Sequence, residues 1–250
     1  MKGIGMASAF RTLTVLPFPG KECGHLETSL YWFPLVGLVL GGLVFGMAGL
    51  LLPVGYPLLS GALVCGALAF LTRAFHLDGL ADTADGFGGG WTKERRLEIM
   101  KDSHTGAFGV VAVVCVLLVK GIALGGMASE SGLAWILTIP LLSRALIVFQ
   151  TVVNPYARPQ GGTAAALVNG AKVRHLLAIV MQVALFSWVI SSHIPLIDMG
   201  IVLGVGLLMT SMVALTSRRM IGGVTGDVLG ATCELSEAAM SVAAVIVLAI

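Results

Sequence analysis

From Thr28 to Thr72 the chain contains no Asp, Glu, Lys, Arg or His. A helix needs roughly 20 apolar residues to cross the hydrocarbon core of a bilayer, so this run is long enough for two crossings. Pro53, Gly55 and Pro57 supply the break between them, because proline cannot continue a helical hydrogen-bond ladder. Composition agrees: 57% of residues are hydrophobic and 11% charged, against about 25% charged in soluble domains. The expected solvent is lipid.

Further spans are expected at Ala107–Met127, Leu133–Val153, His175–Ser192, Met199–Ser217 and Glu237–Ile250. Three intervening segments, Phe75–Gly106, Asn154–Arg174 and Arg218–Ser236, are too polar for lipid and are expected as connections. Ile4–Pro17 has the pattern of an interfacial helix. The start, Met1 to Pro19, lacks the basic cluster, compact apolar core and small-residue cleavage site of a signal peptide. Gly37, Gly41, Gly42, Gly46 and Gly49 suit close helix packing through small residues. With no internal repeat, residues 1–250 are expected to form a single integral membrane domain, an all-α polytopic bundle of about six to seven transmembrane spans.

The cations are distributed unevenly. Lys2, Arg11 and Lys21 precede the first span, and Arg73, Lys93, Arg95, Arg96 and Lys101 follow the second. Arg158, Lys172 and Arg174 follow the fourth, and Arg218 and Arg219 the sixth, while the connections around Pro53, Glu130 and His193 carry none. The positive-inside rule then makes the N-terminus and the long loops cytoplasmic, in a cell (inner) membrane. Lys120 and Arg144 fall inside spans, where a cation usually faces the bundle interior and pairs with an acid or a substrate. A formal charge of +2 is too small for a binder of nucleic acid polymer. Cys23, Cys65, Cys115 and Cys233 are isolated and expected as free thiols.

Most of the chemistry-bearing residues lie in those connections. In Arg73-Ala-Phe-His76-Leu-Asp78-Gly-Leu-Ala-Asp82-Thr-Ala-Asp85-Gly86 the spacing of four and three stacks three carboxylates on one helical face. Unneutralised, that stripe costs stability, and a hard divalent cation with oxygen ligands is the usual remedy. A second group, with Glu98 and Asp102 again four apart and His104 close behind, is interleaved with Lys93, Arg95, Arg96 and Lys101 and reads equally as a solvated, salt-bridged helix. The third, Gly222 to Glu237, puts Asp227, Glu234 and Glu237 on one face after a glycine-rich run whose backbone N–H groups suit a phosphate. Clustered Asp and Glu beside Arg and Lys, without paired thiols or histidines, suit magnesium, which binds through one or two carboxylates plus substrate phosphates. The expected reaction is phosphoryl-group transfer to an alcohol, at a site on the cytoplasmic side.

The sequence resembles the cobalamin synthase (adenosylcobinamide-GDP ribazoletransferase) family. The resemblance rests on His76-Leu-Asp-Gly-Leu-Ala-Asp-Thr-Ala-Asp-Gly86, Arg96-Leu-Glu-Ile-Met-Lys-Asp-Ser103 and Gly226-Asp-Val-Leu-Gly-Ala231 with Glu234. It extends to Pro34-Leu-Val-Gly37 and Leu16-Pro-Phe-Pro19, and so covers nearly the whole chain. It implies a magnesium-dependent transferase joining adenosylcobinamide-GDP to α-ribazole, or α-ribazole 5′-phosphate, with loss of GMP. On this resemblance Asp78, Asp82, Asp85, Asp227 and Glu234 are metal candidates, and Arg73, Arg96, Lys101, His104, Arg219 and Gly226 are substrate contacts. His104 stands where many members carry Arg. Catalytic roles fall to His76, Asp82 and Asp102, and the residues alone do not choose between His76 and a metal-free carboxylate as proton acceptor. Membrane lipid is the other implied partner, and a homo-oligomer is left open.

Two readings compete with this one. An ion-coupled transporter also carries ionisable groups near its spans, but its site tends to lie at the bilayer midplane on broken helices, whereas these acids fall in the connections. Another nucleotide-activated alcohol phosphotransferase would run the same chemistry, and only the remaining motifs favour the corrinoid substrate.

Overall fold

The computed structural model describes residues 4–20, 25–129, 131–162 and 164–250. Lys2, Lys21, Cys23 and Glu130, which entered the sequence reading, lie outside the described residues. Eleven α-helices are formed among them: α1 (Ile4–Leu13), α2 (Phe33–Leu51), α3 (Pro57–Leu71), α4 (Phe75–Gly89), α5 (Lys93–Ile99), α6 (Ala107–Gly126), α7 (Leu133–Val153), α8 (Ala165–Gly170), α9 (Val173–Val189), α10 (Leu196–Ile221) and α11 (Gly226–Leu248). No strand occurs among the described residues beyond an isolated parallel bridge, Tyr156 to Val224.

Five helical stretches are long and apolar enough to cross a bilayer: Leu26–Val54, Ala107–Gly126, Leu133–Val153, Leu196–Ile221 and Gly226–Leu248. The fifteen residues of α3 reach only about 22 Å at 1.5 Å per residue, and α3 meets α4 at 89°. Two consecutive non-glycine residues in the left-handed region, Arg73 (φ 55°) and Ala74 (φ 53°), make that corner. The corner turns α4 across the end of the bundle. The expected span at His175–Ser192 is the shorter apolar helix α9, and the ten residues of α1 are too few to cross.

The boundary of the last span is corrected. Arg218–Ser236 is not a connection: α10 runs on to Ile221 and α11 begins at Gly226, so only the turn 222–225 separates them. The final span therefore starts at Gly226, not Glu237. Gly222 ends α10 in the left-handed conformation (φ 81°), and Thr225 caps α11 by accepting from Val228 N. Glu234, the acid deepest in this stretch, and Glu237 just beyond it are neutralised from other helices. Lys120 Nζ of α6 donates to Glu234 Oε2 (2.7 Å) and Glu237 Oε2 (2.6 Å). From α7, Arg144 pairs with Glu237 and Ser143 Oγ donates to Glu237 Oε1 (2.9 Å). The buried cations thus face the interior, as expected from sequence, and of the two partners expected, an acid or a substrate, they meet acids.

Backbone contact between helices is made at particular glycines. Gly37 and Gly41 lie directly against the Pro140 and Leu137 carbonyls of α7, whereas Gly42 and Gly46 face open space. The close packing inferred from small residues therefore belongs to two of the five, Gly37 and Gly41, one turn apart on the face toward α7, while Gly49 meets only the tip of the Leu133 side chain. Leu118, Ile122, Met181, Leu208 and Met212 stay exposed on the outer faces of α6, α9 and α10, a surface suited to lipid.

Candidate active site

The three sequence motifs meet at one end of the bundle. α4 crosses α11 where neither helix has a side chain: a Cβ on Gly79 would lie 2.7 Å from Asp227 O, and one on Gly230 3.1 Å from His76 O. The crossing carries the carboxylate face of α4 to the first turn of α11. Asp78 is exposed, Asp82 half-buried and Asp85 buried, so the predicted face exists but sinks inward along its length. Burial, then the like charges of Asp227, Asp78 and Asp85, push the Asp82 carboxyl up to about 7, with Arg158 opposing.

Asp85 is engaged elsewhere. Its two oxygens accept from Gly106 N (2.7 Å) and Gly109 N (2.9 Å), which caps the start of α6 and satisfies two of its orphan donors. Glu234 lies seven residues beyond Asp227, about 10 Å deeper along α11, in the ion cluster with Lys120. The structure thus does not bring Glu234 to the crossing.

Asp227 Oδ2 accepts from Thr225 Oγ1 (3.1 Å) and Arg158 Nη2 (2.9 Å). Arg158 is held there by backbone: Ala157 N donates to Val224 O (2.8 Å) and Val224 N to Pro155 O (2.9 Å). Its Nε is buried without a partner, so the guanidinium keeps a donor in reserve. Sequence reasoning counted Arg158 only as loop charge. The signal available was its place in Asn154-Pro-Tyr-Ala-Arg158-Pro, a stiff polar segment that had to lie against something.

The remaining candidates are spread around this end. Arg96 Nη1 donates to Met220 O (3.0 Å) and Arg73 donates to Arg11 O, while Lys101 and Arg219 are exposed. α5 ends at Ile99, so Asp102 and Glu98 do not share its face. Glu98 instead pairs with Arg95 (2.8 Å) on the surface, the solvated-helix alternative. Asp102 Oδ1 accepts from His104 N (3.0 Å) and lies 2.7 Å from His104 Nδ1, contacts that hold its carboxyl below the usual range. His76 is 1% exposed and lines a cavity with Gly226, away from the exposed Asp78. Among the described residues no three Asp, Glu, His or Cys side chains are gathered closely enough to hold a metal by themselves. Cys65, Cys115 and Cys233 are free thiols.

Apolar spanning helices with acids and a guanidinium assembled where they end define a polytopic α-helical membrane enzyme. The chain belongs to the Cobalamin-5-phosphate synthase family, whose profile matches residues 5–245. Proteins named adenosylcobinamide-GDP ribazoletransferase are similar to it over nearly their full length. That of Chlorobium phaeobacteroides (strain BS1) is 42% identical over 93% of this chain and 94% of its own. That of Chlorobaculum tepidum is 45% identical over 94% and 92%, and that of Syntrophobacter fumaroxidans 39% over 93% and 94%. No solved structure matches this chain.

Proposed function

We propose that the chain joins adenosylcobinamide-GDP to α-ribazole, or to α-ribazole 5′-phosphate, giving adenosylcobalamin or its 5′-phosphate and GMP. The observation that carries this reading is the convergence of its three ordered motifs on the α4–α11 end of the bundle, in a chain whose relatives bear that enzyme name. The ribose 3′-oxygen forms a bond to the phosphorus nearest the cobinamide arm. The bond from that phosphorus to the bridging oxygen breaks, and GMP leaves with that oxygen. Asp227 Oδ2 is tied to Arg158 and Thr225, which leaves Oδ1 to accept the hydroxyl proton. Lys101 and Arg219, exposed at this end, would hold diphosphate oxygens together with Arg158 and Arg96.

Asp78, Asp82 and Asp227 are hard oxygen donors, and their mutual repulsion at Asp82 is opposed by Arg158. That donor set fits magnesium, with Asp78 and Asp82 as its protein ligands and substrate phosphates completing the shell. Bound there, the ion would neutralise charge on the diphosphate. The distribution of Lys and Arg supports a cytoplasmic face for this end and an inner-membrane location. Lipid contact follows from the exposed apolar faces, the whole chain is read as one domain, and a homo-oligomer stays compatible with it.

The test is to incubate purified protein with adenosylcobinamide-GDP, α-ribazole and magnesium. GMP release is expected in step with acceptor consumption. Turnover of a different nucleotide-activated alcohol, with none of this pair, would transfer the chain to the competing phosphotransferase reading. After exhaustive chelation GMP release should stop, and magnesium or manganese should restore it better than calcium, whose longer bonds suit larger shells. Undiminished turnover in chelator would remove the metal.

A further inference from the structure

Behind the α4–α11 crossing is a cavity of about 120 Å³. Its walls include Phe33, Phe75, Ile147 and Leu229, and Gly226 forms part of its lining. One polar ring faces it: His76 is 1% exposed and lines the cavity, and neither ring nitrogen has a hydrogen-bond partner. Buried polar atoms in folded proteins are nearly always paired, and an unpaired one is costly. A neutral imidazole offers one N–H donor and one acceptor nitrogen, so the vacancy it faces asks for a ligand with a complementary polar atom on an otherwise apolar body. Thr12 and Ser29 also line the cavity, but no Lys or Arg does, so a diphosphate would find no counter-charge there. An acyl chain would fill the space and leave the imidazole unpaired.

We infer that this cavity receives the aromatic base of the acceptor, with His76 hydrogen-bonded to a ring nitrogen of a benzimidazole-type heterocycle. The inference rests on the transferase reading above and adds to it the subsite that selects the acceptor. Such a base is flat and apolar on both faces, with one acceptor nitrogen at its edge, and Phe75, whose ring centroid lies 5.7 Å from that of His76, is placed to pack against it. Position supports the assignment as well. Gly226 lines the cavity and the next residue is Asp227, so a base seated here directs its ribose to the carboxylate that takes the proton. His76 is then a substrate-binding residue and not the general base. The free nucleoside and its 5′-phosphate share this base, so the subsite serves either.

The experiment measures binding without turnover. Purified chain in phosphatidylcholine nanodiscs is dialysed to equilibrium against radiolabelled α-ribazole, with no nucleotide donor, for wild type, His76→Phe, His76→Gln and Leu167→Trp. Leu167 also lines the cavity, and Trp there fills it. The Kd for α-ribazole should rise about tenfold or more in His76→Phe, the scale of one buried hydrogen bond, and at least as much in Leu167→Trp. His76→Gln, which keeps a donor and an acceptor, should stay closer to wild type. In the coupled assay, KM for adenosylcobinamide-GDP should move less than about twofold in all three. Wild-type α-ribazole affinity in folded Leu167→Trp overturns the inference, whether or not His76→Phe folds, and acyl chains retained in the cavity of that variant's parent would assign the space to lipid. GMP release by wild type alongside that result leaves the transferase reading intact. α-Ribazole binding that depends on His76, with no GMP release, does the reverse.

Discussion

Asp82 and Asp85 sit three residues apart on α4 and meet different surroundings: one half-buried among like charges, the other spent on the backbone of α6. Replacing each by its amide separates the two roles. Asp82→Asn is expected to lower GMP release by about 100-fold or more, the scale for losing a charge that acts on the reacting phosphate, with the protein still folded in the membrane. Asp85→Asn turns one acceptor into a donor facing N–H groups and should cost about 1–3 kcal/mol, read as a lower melting temperature on size-exclusion thermal scans. Glu94→Gln, on the exposed side of α5, should match wild type in both assays. Asp82→Asn with full activity would sink the site. The carboxylate stripe was legible because helical spacing is local. What Asp85 does was not, since its partners lie 21 and 24 residues on and are backbone atoms that any sequence supplies.

At the scale of elements, α11 is where reading by composition failed and reading by partner succeeds. Glu234, in the stretch expected as a connection, and Glu237, at the head of the expected span, mark a helix end until Lys120 and Arg144 are counted with them. The same sequence reading had placed those cations inside spans and expected an acid or a substrate for each, without identifying Glu234 and Glu237 as the partners. The pairing spans more than ninety residues in each case, beyond the reach of any windowed pattern. Glu237→Gln would leave Arg144 and part of Lys120 uncompensated. Breaking a buried pair from one side costs about 3–5 kcal/mol, so the yield of monodisperse protein should collapse. Combining it with Arg144→Leu should recover part of that loss, because both members of the pair are then apolar or neutral. Wild-type yield for Glu237→Gln alone would show that the cluster contributes little. The positions of α2, α6 and α7, by contrast, followed from apolar length alone.

For the whole molecule, the test is which ends of the helices share a side. In a background lacking Cys23, Cys65, Cys115 and Cys233, cysteines at Lys101 and Lys172 should react with an impermeant maleimide only from the cytoplasm. Those at Ser131 and Ser192 should react only from outside; all four positions are exposed. External labelling at Lys101 would reverse the orientation and remove access of cytoplasmic substrates to the α4–α11 end.

The ion cluster also bears on how such a chain is made. Lys120 and Arg144 emerge from the ribosome on α6 and α7, but both counter-charges arrive on α11, the last helix of the fold. While α8 to α10 are being synthesised, two cations have no acid to meet in the bilayer. A chain released before Gly226 never acquires one. Its α6 and α7 would sit high or slip back toward the headgroups, where solvated cations are cheap. Stable insertion of α6 and α7 is thereby expected to wait for α11, the helix that brings their counter-charges.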